Sequence, residues 1–192
     1  MAEVTTIEGK QVFLLVRKLS EATKTVGQIV PFQESLDFEI KTDDDTTTTK
    51  TGKVSKPTDP ETEVKTKFID NFSNIADQLY DSVLDGDILD VWIVNYQRKK
   101  GAKYFAWSMR GKVSEDSGSN DADDNSEREL TFKITAGPKR GWTDITAETE
   151  AAMAYVFRGI GKIEGEAKND GTDGGGLAWT AEDAGVGTLP EA

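Results

Sequence analysis

Hydrophobic and polar residues alternate along several short segments of the chain, a pattern that predicts antiparallel β-strands with one buried face. The clearest example is the segment ERELTFKIT, residues 127–135. Within it Leu130, Phe132 and Ile134 occupy every second position, and polar side chains lie between them. We therefore expect a half-buried antiparallel strand here.

Residues that favour β-structure predict further strands at 10–18 and 62–69, and one or two strands across 27–41. Pro31 confines the first part of the segment 27–41 to a sheet edge or a bulge, because proline has no backbone N–H to donate. The polar run TDDDTTTTKTG, residues 42–52, lies between two of these strands. It is therefore predicted at the tip of a long hairpin.

The hydrophobic period changes to that of a helix in the segment DNFSNIADQLYDSVLDG, residues 70–86. Its apolar side chains recur at helical spacing at Phe72, Ile75, Leu79 and Val83. Gly86 follows them at the position where a glycine commonly ends a helix. The pattern predicts one amphipathic α-helix over this segment.

A second hairpin is predicted from strands at 87–97 and 103–113, which flank the turn sequence RKKGA. Its aromatic side chains are Trp92, Tyr96, Phe105 and Trp107. At a period of two, the first pair shares one face of its strand and the second pair shares one face of the next strand. A hairpin packed into the core is the favoured interpretation, and a sugar-binding face is the alternative.

The segment ITAETEAAMAYVFRG, residues 145–159, predicts a short helix. Thr146 is a candidate N-cap, and Glu148 and Glu150 lie in the first turn, where acidic side chains are favourable. A strand over YVFRGI, residues 155–160, is the alternative for the second half.

Two further segments are too polar to predict a buried element. SEDSGSNDADDNS, residues 114–126, is expected to be a solvated acidic loop. Residues 164–192 are rich in glycine and acids and contain only Leu177 and Trp179 as bulky groups near the middle. We expect this second segment to be a flexible extension unless a neighbour orders it.

Composition narrows the class of protein. A chain of 192 residues with 36% hydrophobic content is long enough for one domain with a real core. The net charge of −12 disfavours a groove for nucleic acid, since lysine and arginine dominate binding to phosphates. With no apolar run near the roughly 20 residues that span a bilayer, and no signal peptide pattern, the expectation is a soluble protein made in the cytosol.

No motif predicts a metal or a cofactor. The acidic run that begins at Asp43 has Thr48 and Val54 where a calcium-binding EF-hand loop needs glycine and glutamate. None of the four Gly-Lys pairs is followed by the serine or threonine of a phosphate-binding loop. The chain has neither histidine nor cysteine, so the sequence favours a protein that is not an enzyme, although a pair of catalytic carboxylates stays open.

Read in order, the segments resemble the major tail protein family, the tail tube subunits of long-tailed, non-contractile bacteriophages of Gram-positive hosts. The resemblance covers roughly residues 1–160 and is carried by five segments: GKQVFLLVRKL, FQESLDFEIKTDDDTTTTKTG, LDGDILDVWIV, ELTFKITAGPKRGW and AMAYVFR. Each is similar to a successive part of the family pattern, from the opening strand through the threonine and aspartate arm to the closing segment.

The resemblance implies a mainly β (α+β) fold, an antiparallel β-sandwich or barrel-like domain over 1–163 with one flanking α-helix and a second short helix. It further implies six copies in a ring, with rings stacked into a hollow tube through which genomic DNA passes without specific binding. The implied partners are other copies of the chain and the tape measure, tail-tip and tail-terminator proteins. The inner tubes of contractile injection systems are a related alternative, which leaves sheath or secretion partners open.

Within that assembly, residues 42–56 are interpreted as an arm that reaches from one ring to the next. Its polarity keeps the free subunit in solution, and ordering it costs conformational entropy, which slows spontaneous polymerisation. Charges of both signs are available for pairing with a neighbour, at Asp43, Asp44, Asp45, Lys50, Lys53 and Lys56.

Overall fold

A computed structural model describes residues 6–42, 44–57, 60–153, 158–165, 167–168 and 170–184. The chain divides into two compact units, the first ending at Asp144 and the second beginning at Ile145. The sequence-based boundary between 163 and 164 stays a prediction. The two units are described separately below.

The first unit contains nine β-strands and one α-helix among its described residues. The strands are β1 Val12–Lys18, β2 Gln28–Ile29, β3 Gln33–Lys41, β4 Asp44–Thr49, β5 Gly52–Pro57, β6 Glu61–Ile69, β7 Leu89–Lys100, β8 Lys103–Ser119 and β9 Glu127–Thr143. The helix is α1, Asn74–Asp85, and the second unit contains α2, Ala147–Met153. The predicted class, mainly antiparallel β with a flanking α-helix and a second short helix, is confirmed.

Seven strands form one antiparallel sheet in the order β2-β1-β7-β8-β9-β6-β3. Its centre is the hairpin of β8 and β9, each of 17 residues, which runs from Tyr104 opposite Thr143 to Ser119 opposite Glu127. Residues 114–119, expected in the acidic loop, therefore belong to β8, and the loop itself is 120–126. The alternation signal is missing there because neither face of this outer part of the strand is consistently apolar.

The sheet curls so that its edge strand β3 approaches β1. Gln33, at the start of β3, makes the connection through its side-chain amide. The Leu14 N–H donates to Gln33 Oε1 at 2.8 Å, and Gln33 Nε2 donates to the carbonyl oxygens of Leu14 at 3.0 Å and Val30 at 2.8 Å. A side chain thus supplies the bonds that a neighbouring strand would supply, which gives the sheet its barrel-like closure.

The core lies inside this curl. Its fully buried apolar side chains include, from β1, β6, β9 and the helix, Leu14, Val16, Val64, Phe68, Leu79, Leu130 and Phe132. The alternation predicted for 127–135 is confirmed at Leu130 and Phe132, while Ile134 packs at the edge of the core.

Helix α1 covers one side of the core, and its ends are set by local sequence. The Ser73 side chain accepts from the Ala76 N–H at 3.3 Å as the N-cap. The helix ends at Gly86, whose backbone is in the left-handed region at φ 68°. This confirms the helix end predicted from the sequence. Ile75 and Leu79 are buried, as predicted, but Phe72 precedes the cap and is fully exposed, so its assignment to the helix was wrong.

One buried cation joins the helix to the sheet. Arg128 on β9 is only 1% exposed and forms an ion pair with Asp116 on β8. Its Nη1 donates to the Ala76 carbonyl oxygen at 3.1 Å, and its guanidinium carbon lies 3.3 Å from the ring centroid of Tyr80. Burial raises the pKa of Tyr80, against the opposing effect of the Arg128 charge.

The polar run between β3 and β6 forms a hairpin of its own. Strands β4 and β5 pair only with each other in the described chain, with Thr49 opposite Gly52 at the turn. On the main sheet, Lys41 at the end of β3 lies opposite Glu61 at the start of β6. The arm is therefore an insertion between two strands that are already neighbours.

The second unit begins with α2, whose predicted cap is confirmed because the Thr149 N–H donates to Thr146 Oγ1 at 3.1 Å. Val156 and Phe157 of the predicted helix or strand lie outside the described residues. Farther along, the backbones of 159–161 and 173–176 are hydrogen-bonded, with the Gly159 N–H donating to the Asp173 carbonyl oxygen at 2.8 Å. The predicted extension thus contains a compact glycine turn, and its flexibility stays a prediction.

Candidate assembly surfaces

The arm presents its charged residues on a two-stranded ribbon. Lys50 and Lys53 are exposed at the turn. Asp45 lies directly opposite Lys56 in the register of β4 and β5, a favourable position for a pair of opposite charges. The side chains of Asp44, Asp45 and Lys56 and the whole of Asp43 lie outside the described part of the structure. Contact of the arm with a neighbouring ring stays a prediction.

The aromatic hairpin forms as β7 and β8, with Ile93 opposite Trp107. The predicted core residues Trp92, Tyr96, Phe105 and Trp107 are half-buried. Trp107 packs against the edge of the core and contacts Phe38 with ring centroids 5.3 Å apart. The buried side chains of the hairpin include Val91, Val94, Ala106 and Met109, together with the aromatic Tyr104.

Cations cover the outer part of this hairpin. Lys99 Nζ lies 4.7 Å from the ring centroid of Tyr96 and 4.6 Å from that of Tyr104. The guanidinium carbon of Arg98 lies 4.2 Å from the centroid of Phe105, and that of Arg140 lies 5.5 Å from the centroid of Trp107. Cations held over aromatic faces are attracted to the ring quadrupole, and the contact limits their freedom.

These cations belong to a larger group at one end of β8, which we call the basic end. Its members are Arg98, Lys99, Lys100, Lys103, Lys139 and Arg140. All six are exposed, and Trp142 beside them keeps 38% of its surface exposed. Lys103 forms an ion pair with Asp144 at 2.8 Å. The basic end is a concentration of positive charge in a chain of net charge −12.

The acidic loop, now bounded as 120–126, lies at the other end of β8 and carries Asp121, Asp123 and Asp124. All three aspartates are exposed. Within the described part of the chain none of them forms an ion pair with a lysine or arginine. Glu127, which follows the loop, is paired with Lys67 at 2.6 Å.

A buried carboxylate binds two arginines in the part of the sheet between the basic end and the acidic loop. Asp90 on β7 is 6% exposed and accepts from Arg17 Nη2 at 2.8 Å and from Arg110 Nε at 2.9 Å. Arg17 also donates to the carbonyl oxygen of Thr25 at 3.2 Å and lies over the ring of Trp92. The group fixes the loop between β1 and β2 against the sheet.

Sequence reasoning missed both Arg128 and the basic end. The burial of Arg128 could have been predicted from the alternation of residues in its strand. Arg128 lies on the same face as Leu130 and Phe132, which is the face predicted to be buried. A signal for the basic end was the sequence QRKKGAK, residues 97–103, which contains four cations and no acid.

Other kinds of site are not found among the described residues. No cluster of three or more potential metal-ligating side chains occurs in the ranges that the structure describes. Within the same ranges, none of the helices is both long and apolar enough to cross a bilayer.

No family model matches the chain, and no curated protein matches it by sequence. Several solved structures nevertheless share its fold. The SPP1 tail tube, solved by solid-state NMR and cryo-EM, matches with a TM-score of 0.63 and 16% identity, over 84% of this chain and 96% of that one.

Two structures of a gene transfer agent particle are also similar. Its tail, computed by helical refinement with C6 symmetry, gives a TM-score of 0.54 at 7% identity, over 72% of this chain and 99% of that one. A chain of the native virion gives 0.51 at 8% identity, with the same coverage. At such identities the likeness establishes the fold, and the predicted fold class is confirmed by it.

Proposed function

We propose that this chain is the subunit of a phage tail tube, in which six copies form a ring and stacked rings form a hollow conduit for DNA ejection. The observation that supports the proposal is the shared fold with the SPP1 tail tube, which extends over 84% of this chain and nearly the whole of its counterpart. The gene transfer agent tail, refined with C6 symmetry, supports the six-fold ring.

The sheet also offers edges for pairing with copies of itself. In the described chain β3 pairs only with β6, and β6 pairs with β9 only as far as Lys133, so the outer half of β9 has an open side. Open edges invite pairing with further strands. Repeated pairing around an axis joins the sheets of neighbouring subunits into a ring.

The charge of −12 suits a conduit, because an acidic wall repels the DNA backbone and lets it slide. Genomic DNA passes through the tube without specific binding, and this role needs no cofactor or turnover. In the virion it meets the tape measure protein inside the tube and the tail-tip and tail-terminator proteins at the two ends. It is made in the cytoplasm of the bacterial host.

Negative-stain electron microscopy of the concentrated recombinant protein, with its mass in solution, tests the proposal. We expect hollow rings or tubes with six-fold end views, with tubes growing from added tail-tip complexes if spontaneous assembly is slow. A protein that stays monomeric and also fails to add to purified tail-tip complexes would overturn the proposal.

A further inference from the structure

We propose that the basic end of one subunit binds the acidic loop of another copy, so that copies associate head to tail along the direction of β8. The inference deepens the proposed function by naming the two surfaces in contact. It does not depend on the arm, which is a separate segment between β3 and β6.

The two surfaces lie at opposite ends of one strand. The end of β7, just before β8, carries Arg98, Lys99 and Lys100, and the loop after β8 begins at Asn120. Over the 17 residues of β8, at about 3.3 Å each, these ends lie roughly 50 Å apart along the strand. The opposite charges cannot meet within one subunit, so each is available to another molecule.

Neither end is fully neutralised by ion pairs among the described residues. Asp121, Asp123 and Asp124 form no ion pair within the described residues, and neither do Lys100 and Lys139. Among the ion pairs of the described residues, the basic end contributes the one between Lys103 and Asp144. Charges of one sign that gather without local partners indicate a surface whose counter-charge comes from outside.

The basic end is also ordered, which favours a protein partner. Arg98 and Lys99 lie over aromatic rings, and the rings of Phe105 and Trp142 meet edge to face at 5.8 Å. Cations fixed in place lose less entropy when they bind. Nucleic acid is the competing partner for a basic surface with aromatic groups, but the net charge of −12 repels it, whereas a complementary acidic loop is present on every copy.

When two different surfaces of one chain bind each other, every added copy offers a free surface to the next copy, and growth stops only if the copies close into a ring. Such heterologous contacts generate rings or filaments, depending on the rotation between copies. Exposed ion pairs are individually weak and sensitive to salt. The contact is therefore expected to set orientation and register while other surfaces provide most of the affinity.

Zero-length carbodiimide cross-linking of full-length protein tests the contact directly. Equal amounts of ¹⁴N- and ¹⁵N-labelled copies are concentrated, cross-linked and analysed by mass spectrometry. We expect mixed-label cross-links from Lys100 or Lys139 to the aspartates of residues 121–124. The separation of the two ends means that such a link joins different molecules.

Each outcome is decisive. Tubes without this cross-link would overturn the inference and leave the proposed function standing. The cross-link in an assembly that forms neither rings nor tubes would support the inference and contradict the proposed function. A protein that shows neither the cross-link nor rings or tubes, even with added tail-tip complexes, would overturn both. If Lys100→Glu with Lys139→Glu abolishes retention of double-stranded DNA and leaves tubes intact, the basic end binds nucleic acid and the inference is wrong.

Charge reversal supplies the second test. Lys100→Glu with Lys139→Glu is expected to lower the assembled fraction by about tenfold, as is Asp121→Lys with Asp123→Lys, and combining all four should restore it. The matched control for net charge is Lys24→Glu with Lys112→Glu, both exposed in the first unit and neither a member of the basic end, which should assemble within about twofold of the wild type. If the variant with all four substitutions remains folded but does not regain assembly, charge complementarity between the two surfaces is contradicted.

Discussion

Gln33 and Leu14 are joined by two hydrogen bonds that run in opposite directions, from the Leu14 N–H to Gln33 Oε1 and from Gln33 Nε2 to the Leu14 carbonyl oxygen. This is the pattern that two residues of adjacent strands would make, with one of the two backbones replaced by a side chain. The pair joins β1 to the far edge strand β3. It therefore holds the curl of the sheet, and with it the shape of the core.

Gln33→Ala is expected to destabilise the subunit by about 1 to 3 kcal/mol, because the fully buried Leu14 N–H loses its acceptor. Gln33→Glu keeps the acceptor but loses the donor and should also destabilise. Urea unfolding followed by tryptophan fluorescence measures both, with Gln28→Ala on the edge strand β2 as the control. A Gln33→Ala variant as stable as that control would show that the closure does not depend on this side chain.

Arg128→Met is expected to cost about 3 to 5 kcal/mol, because it leaves the Asp116 carboxylate, 8% exposed, without its cation. Replacing both partners, as in Arg128→Met with Asp116→Leu, should cost less than the single change, since no charge is then left buried and unpaired. The free energy of unfolding of the two variants, measured in urea, gives the comparison. Equal losses would mean that the ion pair is not the feature that stabilises the contact between helix and sheet.

Asp173→Asn tests the second unit by itself. The Asp173 carboxylate is 4% exposed and accepts from the Lys168 N–H at 2.9 Å, with Arg158 nearby at 4.0 Å. Losing the charge should loosen the glycine turn, so that amide hydrogen exchange accelerates at Gly159 and Gly161. Exchange in the strands of the first unit should not change.

The control for that experiment is Asp170→Asn, an exposed residue whose pKa is lowered chiefly by hydrogen bonds from Thr172. It removes a charge from the same segment without touching the buried carboxylate. Equal effects of the two substitutions on exchange at Gly159 would argue against a central role for Asp173.

The strands and helix α1 were predictable because their apolar residues follow one period over a buried face. Ile75 and Leu79, for instance, are spaced by one helical turn and are both buried, so their spacing in the sequence predicted the helix. Residues 114–119 carry no such signal, since their pairing with β9 is a matter of backbone bonds between polar residues. The closure by Gln33 could not be predicted from the sequence either. A glutamine that takes the place of a neighbouring strand cannot be told apart, by residue type, from a glutamine that faces water.

The candidate assembly surfaces were likewise predictable only in part. The arm was recognisable from its composition, and its position between β3 and β6 was predicted. Its pairing as a separate hairpin was not, because four threonines and three aspartates show no alternation of apolar and polar residues. The basic end depends on residues from two hairpins, near 100 and near 140, that only the fold brings together.

Removing the arm is the sharpest test of how the proposed rings are joined. Lys41 already lies opposite Glu61, so deletion of residues 44–57 leaves a loop of Thr42, Asp43, Thr58, Asp59 and Pro60 between strands β3 and β6. A loop of about five residues suits a hairpin. We expect a folded subunit that still forms rings and no longer stacks them into tubes, as seen by electron microscopy.

The matched control replaces residues 44–57 by a glycine and serine linker of the same length, which keeps the reach of the loop but removes the threonines and charges. Both variants should lose stacking if the arm's own side chains contact the next ring. Lys50→Ala with Lys53→Ala removes exposed charge alone and should shorten tubes, more strongly as salt is lowered and electrostatic contacts strengthen. Long tubes from the deletion variant would show that rings are joined by other surfaces, and the arm would then need a different role.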